Sequence, residues 1–265
     1  MRPLNTIDSH AGTQTTLLLP GQTGQGPLAL HIGWASAAAP GKPNEDFVGM
    51  VVPAEAELAS HGAVVALADG VSADGSARVA AEAAVRSLLA DYYGTPSHWS
   101  VAVALDRVLR AANDWLVAQN ARQPNREGIV AALSGVVLRG GQYFLAHVGD
   151  TRVYRQRGPV LQQLTSDHTW PRRDMRHVLK RAVGLDTYLV VDYAHGELLA
   201  GDVFLMVTDG VWDVLGERRL ESVLRAKADP QIAARTLVEQ ARVHQAGYMG
   251  RNDASAIVVA LGTAA

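Results

Sequence analysis

Ala63-Val64-Val65-Ala66-Leu67-Ala68-Asp69-Gly70 is the stretch on which the fold turns. Six apolar residues without a polar break suit a strand buried on both faces, and the Asp-Gly pair ends it in a tight turn. The same ending recurs. Tyr143–Val148 runs into Gly149-Asp150, Val203–Thr208 runs into Asp209-Gly210, and Asn252-Asp253 stands immediately before Ala254–Val259. Another apolar run, Ile129–Leu138, is joined to Tyr143–Val148 by Gly140-Gly141, which reads as a hairpin turn. Two segments have helical period instead. Ala77–Tyr92 places Val79, Ala83, Leu88 and Leu89 near one face, and Val101–Gln119 does the same with Val101, Leu105, Val108, Leu109 and Leu116. A third helix is expected from about Pro230 to His244. Hairpins in place of regular βαβ alternation predict an α+β domain of mostly antiparallel sheet with helices packed on its faces.

The surrounding composition narrows the chemistry. The chain has 265 residues, 24 Lys+Arg against 26 Asp+Glu, a net charge of −2 and no cysteine. No basic block offers a phosphate-neutralising surface for nucleic acid. The missing cysteine excludes disulfide scaffolds, Cys-ligated zinc and thiolate nucleophiles, and it fits a reducing compartment. No apolar run is long enough to span a bilayer. Residues 1–26 are polar, Gly-rich and non-periodic, which reads as a flexible leader before a single domain over 27–265. Gly21-Gln22-Thr23-Gly24-Gln25-Gly26 is no phosphate loop, since Pro27 stands where the Lys belongs.

The acidic residues comprise 17 Asp and 9 Glu, an excess of the type that favours turns, caps and oxygen-ligand metal sites. One Asp-Gly most simply caps a turn. Four aspartates at the ends of four apolar strands are better explained by convergence at a sandwich rim. Clustered carboxylates repel unless they are protonated or share a cation, and hard ions such as Mg²⁺ or Mn²⁺ take such oxygen donors. Asn44-Glu45-Asp46 adds a further acidic pair at the start of Phe47–Val52.

In order along the chain, Asn44-Glu45-Asp46-Phe47, Ala68-Asp69-Gly70-Val71, Val148-Gly149-Asp150-Thr151, Thr165-Ser166-Asp167-His168-Thr169, Arg181-Ala182-Val183-Gly184, Thr208-Asp209-Gly210-Val211 and Asn252-Asp253-Ala254-Ser255 resemble the motifs of the PP2C (PPM) metal-dependent Ser/Thr protein phosphatases in their bacterial form. The motifs span roughly residues 30–262, and seven in family order are specific where any one is weak. The resemblance implies a β-sandwich of two packed antiparallel sheets flanked by helix pairs. It implies two Mn²⁺ or Mg²⁺ ions, bridged by Asp69, with the Gly70 carbonyl completing the first and Asp209 and Asp253 holding the second. Glu45 and Asp46 would hydrogen-bond waters on the ions, and Asp150 matches the residue associated with a looser third ion. Two ions sharing a carboxylate lower the pKa of a water between them, so no protein nucleophile is needed. Asp213 either supports the loop of Asp209 or caps a following helix. The expected protein is a cytoplasmic monomer acting on phosphorylated proteins and opposing a Ser/Thr kinase, without nucleic acid or membrane insertion.

Three departures carry expectations of their own. The family's phosphate-gripping Arg falls at Gly41, beside Lys42. A Lys binds phosphate as a point charge without the bidentate fork. Val71 replaces the His that follows Asp-Gly in eukaryotic members, which leaves the general acid unassigned; His147, His168 and His177 are read as structural. The family's flap is reduced to Trp170–Lys180, whose Arg172 and Arg173 are the further candidates for docking the substrate phosphate. A catalytically weak phosphopeptide-binding module and a small-molecule phosphohydrolase are the alternatives on the same fold.

Overall fold

The computed structural model describes residues 15–19, 27–51, 53, 55–72, 76–122, 128–172, 175, 177–246 and 252–263. In chain order the elements are β1 (Thr15–Leu19), β2 (Leu28–Ala37), β3 (Asp46–Val51), α1 (Glu55–His61), β4 (Ala63–Val71), α2 (Arg78–Tyr93) and α3 (Val101–Ala121). There follow β5 (Val130–Arg139), β6 (Gln142–Val148), β7 (Arg152–Arg157), β8 (Val160–Gln163), β9 (Asp192–Glu197), β10 (Val203–Val207), α4 (Asp209–Arg225), α5 (Pro230–Gln245) and β11 (Ala254–Thr263). One sheet has the order β1-β2-β11-β10-β7-β8 and the other β3-β4-β5-β6-β9. Every pairing between these strands is antiparallel.

Strand β4 explains its own sequence. Val64, Ala66 and Ala68 pack with α2 and α3, while Ala63, Val65 and Leu67 face the second sheet with Val48, Met50, Phe204 and Met206. Successive side chains of a strand point to opposite faces, so a strand covered on both sides is apolar throughout. Strand β10 follows the same rule: Leu205 and Val207 pack under α4 and α5, and Phe204 and Met206 fill the space between the sheets. The layers run helices, sheet, sheet, helices, as expected. The Gly140-Gly141 turn has both φ angles positive, +57° and +73°, the conformation a two-residue hairpin needs. Helix α3 starts on Ser100, whose side chain accepts from Val103 N–H at 3.3 Å. Helix α5 starts on Asp229, which accepts from Gln231 N–H at 2.8 Å, with Pro230 in its first turn.

Three readings need correction. Thr15–Leu19, taken as part of the leader, is strand β1 paired with β2, and Leu19 is fully buried; Gly21–Gly26 lies outside the described residues. Val79 is 54% exposed, and α2 buries Ala80, Ala81, Ala84, Val85, Leu88, Leu89 and Tyr92 instead. Helix α4 has no clear signature in the sequence, because Gly216 at φ +68°, ψ 161° interrupts it and breaks the 3.6-residue pattern. Asp213 lies inside that helix.

Candidate metal centre

Antiparallel pairing brings the strand ends to one rim. Asp46 faces Asp69 directly across β3 and β4. By alternation both stand on the inter-sheet side, in line with Val48 and Leu67. In the second sheet Val207 pairs with Ala256 and with Arg152. Asp209 after β10, Asp253 before β11 and Asp150 before β7 therefore share that rim. A hydrogen bond stitches the sheets together there: Thr208 Oγ1 donates to Asp46 Oδ2 at 3.0 Å, and Ser255 N–H donates to the same Thr208 oxygen at 3.0 Å.

The rim is preorganised by hydrogen bonds to the carboxylates. Asp253 accepts from Ala39 N–H through Oδ1 and from Glu45 N–H through Oδ2, each at 2.6 Å. Asn252 Nδ2 donates to Asp209 Oδ2 at 2.7 Å. Glu45 Oε1 accepts from Ala77 N–H at 2.8 Å and from Ser72 Oγ at 2.9 Å, so this carboxylate holds the chain where α2 begins. Arg78 donates to the carbonyls of Asn44 and Asp46 at 3.1 and 3.3 Å. At Gly70 a Cβ would collide with the carbonyl oxygens of Ala77 and Glu45, and at Gly210 with the carbonyl oxygen of Asp253. Only glycine fits these close approaches. Beside the rim, Trp212 Nε1 donates to the Asp150 carbonyl at 2.9 Å. Arg152 lies 3.5 Å over the Trp212 ring and binds Asp167 through two bonds, of 2.9 and 2.7 Å.

Burial and mutual repulsion disfavour charge on this cluster. Asp46 is held well above the usual carboxylate range by burial first, with Asp253 and Asp209 adding repulsion against hydrogen bonds from Ser255 and Thr208. Asp69 is pushed up by burial and then by the charges of Asp46, Asp209, Asp150 and Asp253. Asp150 rises to about 7 through burial and the charges of Asp209 and Asp167. Asp209 is raised by burial, with His177 opposing.

Among the described residues, two buried oxygens at the rim, Asp46 Oδ1 and Asp209 Oδ1, find no hydrogen-bond partner. A buried acceptor left unsatisfied costs roughly 1–3 kcal/mol, more when charged. Among the described residues, no three His, Asp or Glu side chains converge tightly enough to enclose an ion as they stand. Backbone donors pin Asp253 and Glu45 in place. The donor set is all hard oxygen, and the unpaired oxygens belong to residues on both sheets, so the residues present fit divalent ions of the Mg²⁺ or Mn²⁺ kind.

The substrate-phosphate candidates are exposed or lie outside the described residues. Lys42 is exposed on the turn at Gly41, φ +80°, and its N–H closes that turn onto Ala39 O at 3.2 Å. Arg172 is exposed, and Arg173 is outside the described residues. The Trp170–Lys180 stub closes on itself: Thr169 bridges Leu179, and Trp170 N–H donates to Val178 O at 3.2 Å. His147 is buried, its pKa lowered to about 4 by desolvation. Its Nδ1 meets Ser134 Oγ at 2.9 Å, and Ser134 Oγ meets Thr151 Oγ1 at 2.8 Å. His177 is exposed, with Nε2 4.0 Å from Asp213. The reading by sequence missed Thr208, Ser72 and Arg78, which position the carboxylates. Thr208 precedes an Asp-Gly, a readable signal; the other two carried none.

Comparison with known proteins agrees with this geometry. The protein phosphatase 2C family model matches residues 35–242. The serine/threonine phosphatase stp of Listeria monocytogenes is 27% identical over 199 residues, 68% of this chain and 76% of that protein. The serine/threonine protein phosphatase PstP of Mycobacterium tuberculosis is 27% identical over 198 residues, 67% of this chain but 37% of that longer protein. The crystal structure of the PstP catalytic domain in complex with two manganese ions superposes with a TM-score of 0.72 at 25% identity, over 89% of this chain and 99% of that one. The PPM Ser-Thr phosphatase MsPP from Mycobacterium smegmatis, in complex with cacodylate, gives 0.70 at 25% identity over 87% and 98%. Two sheets with a shared carboxylate rim, and matches over most of the length, place the chain in the protein phosphatase 2C family, in its bacterial serine/threonine phosphatase form.

Proposed function

We propose that this chain hydrolyses phosphoserine and phosphothreonine in proteins with the help of divalent cations, acting in the cytoplasm against a partner kinase. The observation that carries the reading is the rim itself: Asp46 and Asp209 each present a buried oxygen without a partner, beside Asp69, Asp150 and Asp253. Divalent ions bound there would supply Lewis acidity and a water of lowered pKa. Asp69 and the Gly70 carbonyl, with Asp209 and Asp253, would hold two ions, and Asp150 a looser third. Glu45 and Asp46 would orient the attacking water. That water would form the new P–O bond in line as the bond to the seryl or threonyl oxygen breaks, the proton it releases balancing the one the leaving oxygen takes up. Fixed hydrogen bonds to the carboxylates reduce reorganisation during the reaction. No cysteine is present to serve as a nucleophile, which agrees with direct attack by water. Among the described residues, no helix is long and apolar enough to cross a membrane.

The phosphate grip is assigned to Lys42, Arg172 and Arg173. Arg172→Ala with Arg173→Ala should raise KM for a phosphopeptide more than for p-nitrophenyl phosphate; equal effects would remove these residues from the site. The activity itself is tested by Mn²⁺-dependent hydrolysis of both substrates, with and without chelator. Turnover abolished by chelator is expected. Metal-independent turnover would overturn the reading, and tight phosphopeptide binding without turnover would favour a binding module, an alternative motivated by Gly41 in place of the guanidinium.

A further inference from the structure

His168 is 93% buried and stands between two segments that carry the chemistry, yet the proposed reaction does not use it. Both backbone polar groups of Gly149, the residue before Asp150, are bound by it. Gly149 N–H donates to His168 Nδ1 at 3.1 Å, and His168 N–H donates to the Gly149 carbonyl at 2.7 Å. Gly149 has φ +105°, and a Cβ there would collide with Ala132, so its peptide lies flat against β5. Trp212 of α4 holds the Asp150 carbonyl at 2.9 Å, and the two bonds from His168 fix the Gly149 peptide before it. With Nδ1 accepting, the ring proton is on Nε2 and donates to Asp192 Oδ2 at 3.0 Å. Arg181 holds the other Asp192 oxygen at 3.0 Å. On the opposite side the His168 carbonyl accepts from Lys180 N–H at 2.7 Å, which closes the base of the Trp170–Lys180 stub.

We propose that His168 is a positioning residue that fixes the Gly149-Asp150 turn for a weakly held divalent ion and ties that turn to the base of the stub. The inference rests on the metal reading of the rim. Outer partners that orient a ligand typically set metal affinity by about 10- to 100-fold. Here the partner acts on the peptide that aims the ligand.

The test separates the two faces of the imidazole. His168→Asn keeps an acceptor where Nδ1 stands and loses the reach to Asp192. His168→Gln reaches Asp192 and loses the acceptor for Gly149. Mn²⁺ binding to the metal-free full chain is followed by electron paramagnetic resonance, with melting temperatures measured alongside. The expected result is tight binding unchanged in both variants. The weakest ion should be loosened about tenfold or more in His168→Gln and stay within about threefold of wild type in His168→Asn and Asp192→Asn. Equal behaviour of His168→Gln and wild type, or equal loss in both His168 variants, overturns the inference. A wild type that binds tight ions but no weaker one also overturns it and leaves the proposed function standing. A wild type that binds no Mn²⁺ removes the proposed function itself. Should His168→Gln fail to fold, Mg²⁺ titration of ¹⁵N-labelled wild type decides: the Gly149 amide and His168 Nδ1 signals must shift together with the weak phase, and stationary signals overturn the inference.

Discussion

Asp209 shows how one residue serves both fold and site. Its Oδ2 is tied to Asn252 at 2.7 Å, while its Oδ1 is buried without a partner. Asp209→Asn keeps the volume and removes the charge, so metal affinity and turnover should fall by at least about 100-fold, more than an outer partner's loss costs. Isothermal titration with Mn²⁺ beside p-nitrophenyl phosphate assays checks both. The raised carboxyl pKa values also fix a sign. Asp150 titrates near 7 in the fold against an ordinary 3.8. Between those values the metal-free folded state keeps a proton that the unfolded chain has released. Stability without metal should therefore fall as pH rises from about 4 to about 7, since the folded state binds more protons there. Asp46 and Asp69 push in the same direction, and His147, lowered to about 4, opposes them in part. Melting curves in chelator across that range should slope downward for wild type, and less steeply for Asp150→Asn.

At the scale of elements, glycines decide how closely the layers approach. Gly33 in β2 lies against the backbone of Pro230 and Gln231 at the start of α5, where a Cβ would overlap main-chain atoms. Gln231 completes the join, accepting from Trp34 N–H at 3.0 Å and donating to Trp34 O at 2.8 Å. Gly33→Ala should cost about 1–3 kcal/mol, the usual penalty for overpacking, measurable by urea denaturation. Gly49 and Gly135 make room for Val85, Leu88 and Leu89 of α2 in the same way. Strand β1 carries a second consequence. Leu19 is fully buried against β2 and the inter-sheet core, so Leu19→Ala should lower stability by about 2–5 kcal/mol. A flexible leader would tolerate the change.

At the scale of the molecule, like charges from both sheets meet at one rim, and a bound cation would join the sheets. Saturating Mn²⁺ should raise the melting temperature. At 100 times its dissociation constant each independent ion adds about 2.7 kcal/mol, and Asp253→Asn should lose most of the gain. Asp253 also fastens the 39–45 loop through two backbone bonds, so this variant should be destabilised without metal as well. Much of this arrangement was legible in the chain. Uninterrupted apolar runs marked strands covered on both faces, and aspartates at their ends marked a rim. Helix α4 was hidden by Gly216, and β1 was hidden by a polar, Gly-rich neighbourhood. Which residue types stand at strand ends can be read directly from the chain, because alternation and turn chemistry are local. It took the folded arrangement to set Asp46 against Asp69 in register, to bring Thr208 to Asp46 across the sheets, and to leave two oxygens without partners among the described residues. Pairing register, contact between sheets and desolvation arise from elements far apart in the chain, and no local pattern encodes them.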